Sequence, residues 1–478
     1  MAFTSPSFLL LLLAFVLLTN AFPSPRARSI TLFMASAVFI ASYVDSALQL
    51  LPLAAFLAFG YASIELLRRG RSRGLLGVLL IGLLGGFVVL KRYSFLGPAV
   101  QLPFPYLMVG LSYVLFRLIH LMVDAQQGEL TSRIPALQFV NYCSSFLTFT
   151  AGPIQLYPEF ASEQQARPAQ DPARVGAALA RVVRGFVKVG VASAILNYVF
   201  VALSGRLLSN SPLGASSTWA LFGASAVTYT AYLYSNFAGY MDIVLGVGEL
   251  AGQRLPENFN QPFAARSFLD FWSRWHMTLS NWFKVYLFNP LLKGLAKRYP
   301  SNGSAPYLAA AAFFVTFLVM GLWHGTTAVF VIYGLLLGAG ASINKAWQVF
   351  ASARFGKRAY KQAGERPLAV YAARGLTFAY FALALACLWL DLPQLLGLAR
   401  RLGPGGLVAS YGALTLGAAL VFASWDAASA WLRTARARWS PLFGSPLARD
   451  FALAAQILLV LSVGSFFHKA PEFVYRAF

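Results

Sequence analysis

Two tryptophan–histidine pairs, Trp275-His276 and Trp323-His324, carry the side chains of this chain best suited to moving a proton. Only four histidines occur in 478 residues, the others being His120 and His468. An imidazole has an unperturbed pKa of about 6.5 and can take the proton of a hydroxyl near neutral pH. His324 closes an apolar run, whereas His276 sits in an amphipathic one. A polar ring in hydrocarbon is costly unless partnered, so an ionisable residue within a bilayer marks a functional site by default. His324 is therefore the first candidate for chemistry, with His276 beside it.

The elements that must hold these rings are membrane helices. Hydrophobic residues make up 58% of the chain and charged residues 11%, more apolar surface than one or two soluble cores could hide. The formal charge of +22 comes from 38 Lys and Arg against 16 Asp and Glu, but the cations fall in short clusters between apolar runs. Arg68, Arg69, Arg71 and Arg73 form one, Lys293, Lys297 and Arg298 another, and Lys357, Arg358, Lys361 and Arg366 a third. Such clusters fit cytoplasmic loops near anionic headgroups of membrane lipids, not a nucleic-acid module. Cys143 and Cys387 lie in apolar context without metal or disulfide spacing, and the four histidines form no ligand cluster, so no metal site is expected.

Apolar runs near the length that crosses about 30 Å of hydrocarbon recur at 7–22, 29–44, 47–67, 74–90, 102–123, 137–152, 182–204, 217–235, 238–251, 305–322, 326–346, 368–391, 405–431 and 450–468. The expected fold is an all-α polytopic integral membrane protein of about ten to twelve transmembrane helices, with partial and interfacial helices besides. Met1–Phe22 reads as a retained first span, and the short runs 137–152 and 238–251 read as re-entrant helices, tolerated only where protein satisfies their backbone. Lys91, Arg92, His120 and Asp124 stand at segment ends, where snorkelling accounts for them. Asp242, in an apolar segment, reads either as a polar contact shaping the site or as a hydrogen-bonder between helices.

Residues 254–290 differ from their surroundings. Phe268, Phe271, Trp272, Trp275, Leu279, Trp282, Phe283 and Tyr286 recur at three- and four-residue steps, with Arg266, Asp270, Arg274 and Lys284 between them. This spacing predicts an amphipathic helix in the headgroup plane, opened by the polar turn Pro256-Glu257-Asn258-Phe259-Asn260-Gln261-Pro262.

Four runs in order carry a resemblance: Asn236-Phe237-Ala238-Gly239-Tyr240-Met241-Asp242, Pro256 to Phe263, Phe271-Trp272-Ser273-Arg274-Trp275-His276, and Gly321-Leu322-Trp323-His324-Gly325. Together they resemble the membrane-bound O-acyltransferase family, in its bacterial branch of alginate O-acetyltransferase subunits and D-alanyl transfer proteins. Weaker echoes are Thr150-Ala151-Gly152-Pro153-Ile154 and the ending Pro471 to Phe478. Asn236 stands where relatives often carry Asp, and Thr326-Thr327 where alginate-type proteins tend to have Ala-Asn.

The resemblance implies one membrane domain over residues 1–478 around a central funnel, its catalytic core at about 137–346, flanked by N-terminal helices 1–136 and C-terminal helices 368–478. It further implies that His324 is the catalytic base and that His276 lies near the path. No bound cofactor is implied. The donor is acetyl-CoA or an acyl carrier protein thioester on the cytoplasmic side, and the acceptor an extracytoplasmic polysaccharide or cell-wall polymer. An extracytoplasmic hydrolase-like partner and a bacterial cytoplasmic (inner) membrane location follow from the same likeness. Substrate contacts are sought among Trp275, Trp323, Arg274, Asn236, Tyr240, Asp242 and Asn258. Rival readings are D-alanyl transfer, lipid or protein acylation on the same fold, and a proton-coupled transporter in which His276 and His324 relay protons. No Cys or Ser stands in an activated-nucleophile motif, which favours direct transfer over an acyl-enzyme.

Overall fold

A serine and then a proline start each of the first two helices: Ser5 Oγ accepts from the Phe8 N–H ahead of α1 (Pro6–Ala21), and Ser24 Oγ accepts from Ala27 ahead of α2 (Pro25–Ala41). The hydroxyl satisfies a donor the helix leaves unpaired, and proline needs no donor at that position. The computed structural model describes residues 5–97, 100–165, 171–209, 214–300, 305–438 and 445–466. His468 and the run Pro471 to Phe478 lie outside them.

Beyond α2 the helices are α3 (Leu51–Gly70), α4 (Arg73–Leu90), α5 (Leu111–Gln127), α6 (Ala136–Ser144), α7 (Tyr157–Gln165), α8 (Pro172–Val187), α9 (Ser193–Leu208), α10 (Ala215–Leu250), α11 (Phe268–Trp272), α12 (Met277–Phe283), α13 (Asn289–Arg298), α14 (Ala305–His324), α15 (Val329–Phe355), α16 (Lys357–Gly364), α17 (Pro367–Ala384), α18 (Leu392–Arg438, kinked at Gly403-Pro404) and α19 (Pro446–Phe466). Two compact units emerge: Met1–Phe186 with Gly239–Glu257, and Val187–Ala238 with Asn258–Pro471. Seven described helical stretches are long and apolar enough to cross a membrane: Ala47–Gly70, Arg73–Leu90, Pro172–Leu208, Ala305–His324, Val329–Phe355, Pro367–Leu388 and Leu392–Ala435. Pro6–Ala21 and Asp450–Gly464 are shorter apolar helices. The protein is thus a multi-pass membrane protein, and the isolated pair Phe259–Trp275 is the only β-type pairing among the described residues.

In the first unit α5 is buried along nearly its whole length, polar residues included. Arg117 Nη1 donates to the Cys143 carbonyl at 2.6 Å, and Nη2 donates to the carbonyl and hydroxyl of Thr148 at 2.8 and 2.6 Å. Helix α6 stops at Ser144, so the guanidinium satisfies carbonyls that no helix pairs, as irregular backbone away from water requires. That agrees with a partial helix within 137–152. His120 and Lys91, in contrast, do not snorkel. His120 is 1% exposed and Lys91 is buried; the imidazole lies 3.1 Å from Asp124 through Nδ1, and its Nε2 accepts the Tyr157 N–H at 3.0 Å. A carboxylate four residues along the same helix and a backbone donor stabilise the ring inside protein better than any reach to water.

The run 238–251 is not re-entrant: it continues α10, with which α8 packs. A Cβ on Gly185 would sit 2.7 Å from the Gly239 carbonyl oxygen, and one on Gly246 would sit 2.9 Å from that of Ala178, so missing side chains let the helices approach closely. Arg174 pairs with Glu249, and Arg181 bridges Asp242 at 3.0 Å and Glu257 at 2.7 Å.

In the second unit α14 and α15 form an antiparallel hairpin. A Cβ on Gly334 would meet the Leu318 carbonyl oxygen at 2.6 Å, one on Gly338 that of Phe314 at 2.8 Å, and Ser342 Oγ donates to the Ala310 carbonyl at 2.8 Å. Each four-residue step along one helix answers four steps back along the other.

Candidate functional site

The site is built from two loops of unequal character, both in the second unit. The first is the turn from Arg274 to Met277. Residues 254–290 do not form the single amphipathic helix that their spacing suggests: α11 ends at Trp272 and α12 begins at Met277. The join is held by an antiparallel pairing with the polar turn, in which Asn260 N–H donates to the Arg274 carbonyl at 2.9 Å and Met277 N–H to the Asn258 carbonyl at 3.0 Å. Nor is its tryptophan face turned outward. Trp272, Trp275 and Trp282 are buried, with Trp275 stacked on Phe271 at 5.5 Å and edge-on to Phe381 at 5.1 Å. Aromatic surface gains more from packing inside protein than from the interface, and this overrides the amphipathic pattern.

His276 occupies the corner. Its φ is +46, in the left-handed region, which costs a non-glycine residue roughly 1–3 kcal/mol and persists where surroundings over-determine it. Asn258 is what determines it. The Asn258 Oδ1 accepts the Thr278 N–H at 3.1 Å and the Thr278 hydroxyl at 2.8 Å, and stands 3.3 Å from His276 Nδ1. One amide oxygen thereby caps α12 from another segment and orients the imidazole. The ring is 1% exposed and stands edge-on to Phe237 at 4.9 Å. Burial pushes its pKa well below the ordinary value, and His324 acts in the same direction. The two histidines are thus within electrostatic reach of each other.

His324 ends α14 and is 3% exposed. Its Nδ1 lies 2.7 Å from the Met320 carbonyl oxygen, one turn back. A carbonyl only accepts, so Nδ1 carries the proton and the basic lone pair belongs to Nε2. Trp323 and Tyr333 hold the ring edge-on at 4.9 and 5.5 Å. Gly325 follows because a Cβ there would collide with the Phe330 ring.

The remaining candidates separate. In the second unit Asn236 is fully buried and donates to Ser193 Oγ at 3.2 Å, while Arg274 pairs with Asp270 at 2.8 Å. In the first unit the Tyr240 hydroxyl bonds Thr150 and the Leu147 carbonyl, and Asp242 pairs with Arg181. Asp242 therefore serves as a tie between helices. Tyr333, Phe237 and Thr278 escaped sequence reasoning. Tyr333 reaches His324 only through the hairpin register, whereas Thr278, two residues past His276, could have been suspected as a helix-start residue. No group of three or more His, Cys, Asp or Glu suited to a metal occurs among the described residues.

The profile of the membrane-bound O-acyltransferase family matches residues 76–384, well over half of the chain. Among curated proteins, a teichoic acid D-alanyltransferase of Bacillus subtilis is 31% identical over 230 residues, 48% of this chain and 56% of that protein. A second teichoic acid D-alanyltransferase, of Streptococcus thermophilus, is 30% identical over 268 residues, 54% of this chain and 61% of its own length. A probable alginate O-acetylase of Pseudomonas aeruginosa is 27% identical over 375 residues, 74% of this chain and 68% of the relative. The chain thus spans less than two thirds of the length of the D-alanyltransferases it matches.

Proposed function

This chain belongs to the membrane-bound O-acyltransferase family, and on that premise we propose that it is a membrane acyltransferase using His324 as general base. It passes a short acyl group, acetyl in the first instance, from a thioester of coenzyme A or a carrier protein to a hydroxyl of an extracytoplasmic polysaccharide, across a bacterial cytoplasmic membrane. The observation that carries this reading is the His324 imidazole, buried at the end of an apolar helix with Nδ1 tied to the Met320 carbonyl and Nε2 left as the basic nitrogen.

In the proposed reaction the acceptor O–H gives its proton to His324 Nε2 as its oxygen bonds to the thioester carbonyl carbon. The C–S bond then breaks, and the thiolate leaves with the proton returned by the imidazolium. Both partners are thereby neutral at the end, and no acyl-enzyme forms. His276, kept uncharged by burial and with Nδ1 turned to Asn258 Oδ1, adds no competing cation beside the proposed base. The acceptor hydroxyl belongs either to the polymer itself or to a separate extracytoplasmic hydrolase-like partner that carries the acyl group on to it.

D-alanyl transfer is the second reading, favoured by the likeness to the Bacillus protein. Mass spectrometry of envelope glycans from cells with the wild-type gene, without it, and with His324→Ala separates the two. An acetyl increment lost in both defective strains supports acetylation, an alanyl increment the alternative. Unchanged glycans in all three strains would overturn both.

A further inference from the structure

Some cations of this chain are matched by carboxylates and some exposed ones are not. Arg174, Arg181, Arg274 and Arg374 each lie against a carboxylate. Lys293, Lys297 and Arg298 on α13, and Lys357, Arg358 and Lys361 on α16, are exposed, and none is in an ion pair among the described residues. Between Lys284 and Arg366 the sequence holds a single carboxylate, Glu365. One carboxylate cannot balance these six charges, so most of their counter-anions come from outside the segment.

Their position says from where. Helix α13 precedes the start of α14, and α16 follows the end of α15, so the antiparallel hairpin brings both clusters to the same end. Continuing the register from Ser342 opposite Ala310 sets Trp347 level with the first turn of α14. There Tyr307, Trp347 and Phe350 are all exposed. Aromatic rings at one level on two spanning helices, with cations immediately beyond, reproduce the order of a bilayer boundary: hydrocarbon, aromatic girdle, phosphate. Helix α16 joins two spans in eight residues and has no buried residue, so it cannot leave that plane.

We propose that the basic collar formed by α13 and α16 binds the phosphates of anionic phospholipids in the cytoplasmic leaflet, and thereby fixes which end of the hairpin faces the cytoplasm. Each cation near a charged surface strengthens association about fivefold, so three together contribute on the order of 100-fold. Positive charge retained on the cytoplasmic side gives the orientation.

The test uses the full chain in nanodiscs of phosphatidylcholine with and without phosphatidylglycerol, comparing wild type with K357Q/R358Q/K361Q and, separately, K293Q/K297Q/R298Q. Thermal unfolding in phosphatidylcholine alone identifies which variants keep the fold, and the two separate triplets leave one usable if the other does not. The expected result is that the wild type retains phosphatidylglycerol through purification and each folded variant binds it on the order of 100-fold more weakly. High salt should erase the difference. Equal retention of both lipids by the wild type, or undiminished phosphatidylglycerol binding by the folded variants, overturns the proposal. So does salt-sensitive binding of an acidic protein to the collar that proceeds in phosphatidylcholine alone while lipid retention is unaffected.

Discussion

Replacing His324 with alanine removes the proposed base while leaving α14 a better helix former, so acyl transfer should fall by about 10²- to 10⁴-fold with the protein still inserted, read from single-turnover acylation in nanodiscs. His276 makes a prediction of opposite kind. Its folded-state pKa lies well below the usual imidazole value, so only the unfolded chain takes up a proton as pH drops through about 6.5. Its contribution to stability is complete above that pH and is lost progressively below it. The thermal midpoint should decline from pH 7.5 to pH 5.5, and His276→Gln should flatten that decline; an identical slope in the variant would remove His276 as its source. Asn258→Ala strands the donors that its amide oxygen accepts and should cost about 1–3 kcal/mol in unfolding free energy, whereas Asn258→Asp, which keeps an acceptor, should cost less. Both histidines were legible from residue type and context. Asn258 was legible only as one polar group among several, because its job depends on a pairing between segments that no local pattern encodes.

At the scale of the element, length and apolarity found the spanning helices, while periodicity misled wherever packing took over. The steps from Phe268 to Tyr286 satisfy a helix, yet the chain breaks at His276, since burying three tryptophans and capping α12 from Asn258 outweighs continuing the backbone hydrogen bonds. The runs 217–235 and 238–251 are separated at polar Asn236, yet the helix continues through it because the Asn236 amide is satisfied by Ser193 on a neighbouring helix. The hairpin of α14 and α15 depends on missing side chains. Gly334→Ala would put a methyl 2.6 Å from the Leu318 carbonyl oxygen. It should cost about 1–3 kcal/mol and move His324 enough to lower activity along with the melting temperature, whereas alanine at open Gly412 should change neither.

For the whole molecule, composition alone settled membrane residence, and the exposed faces agree with it. Leu416, Leu420, Val421 and Trp425 on α18 are exposed among the described residues. Leu420→Arg should therefore raise the cost of insertion by about 2.5–3.5 kcal/mol, seen as a loss of membrane-integrated protein in a translocation assay, with little effect from Leu420→Phe. Tertiary neighbours such as Tyr333 stayed hidden because a single sequence carries no record of which helices meet. The glycine contacts between α14 and α15 bear on how such a catalyst could change its substrate. With main chain nearly touching main chain, the position of the His324 ring is set by peptide groups rather than by replaceable side chains, so swapping residues along that seam offers no route to re-aiming it. If the proposed base is to serve a larger or smaller acyl group, the change has to come from residues outside the seam, with the imidazole standing still.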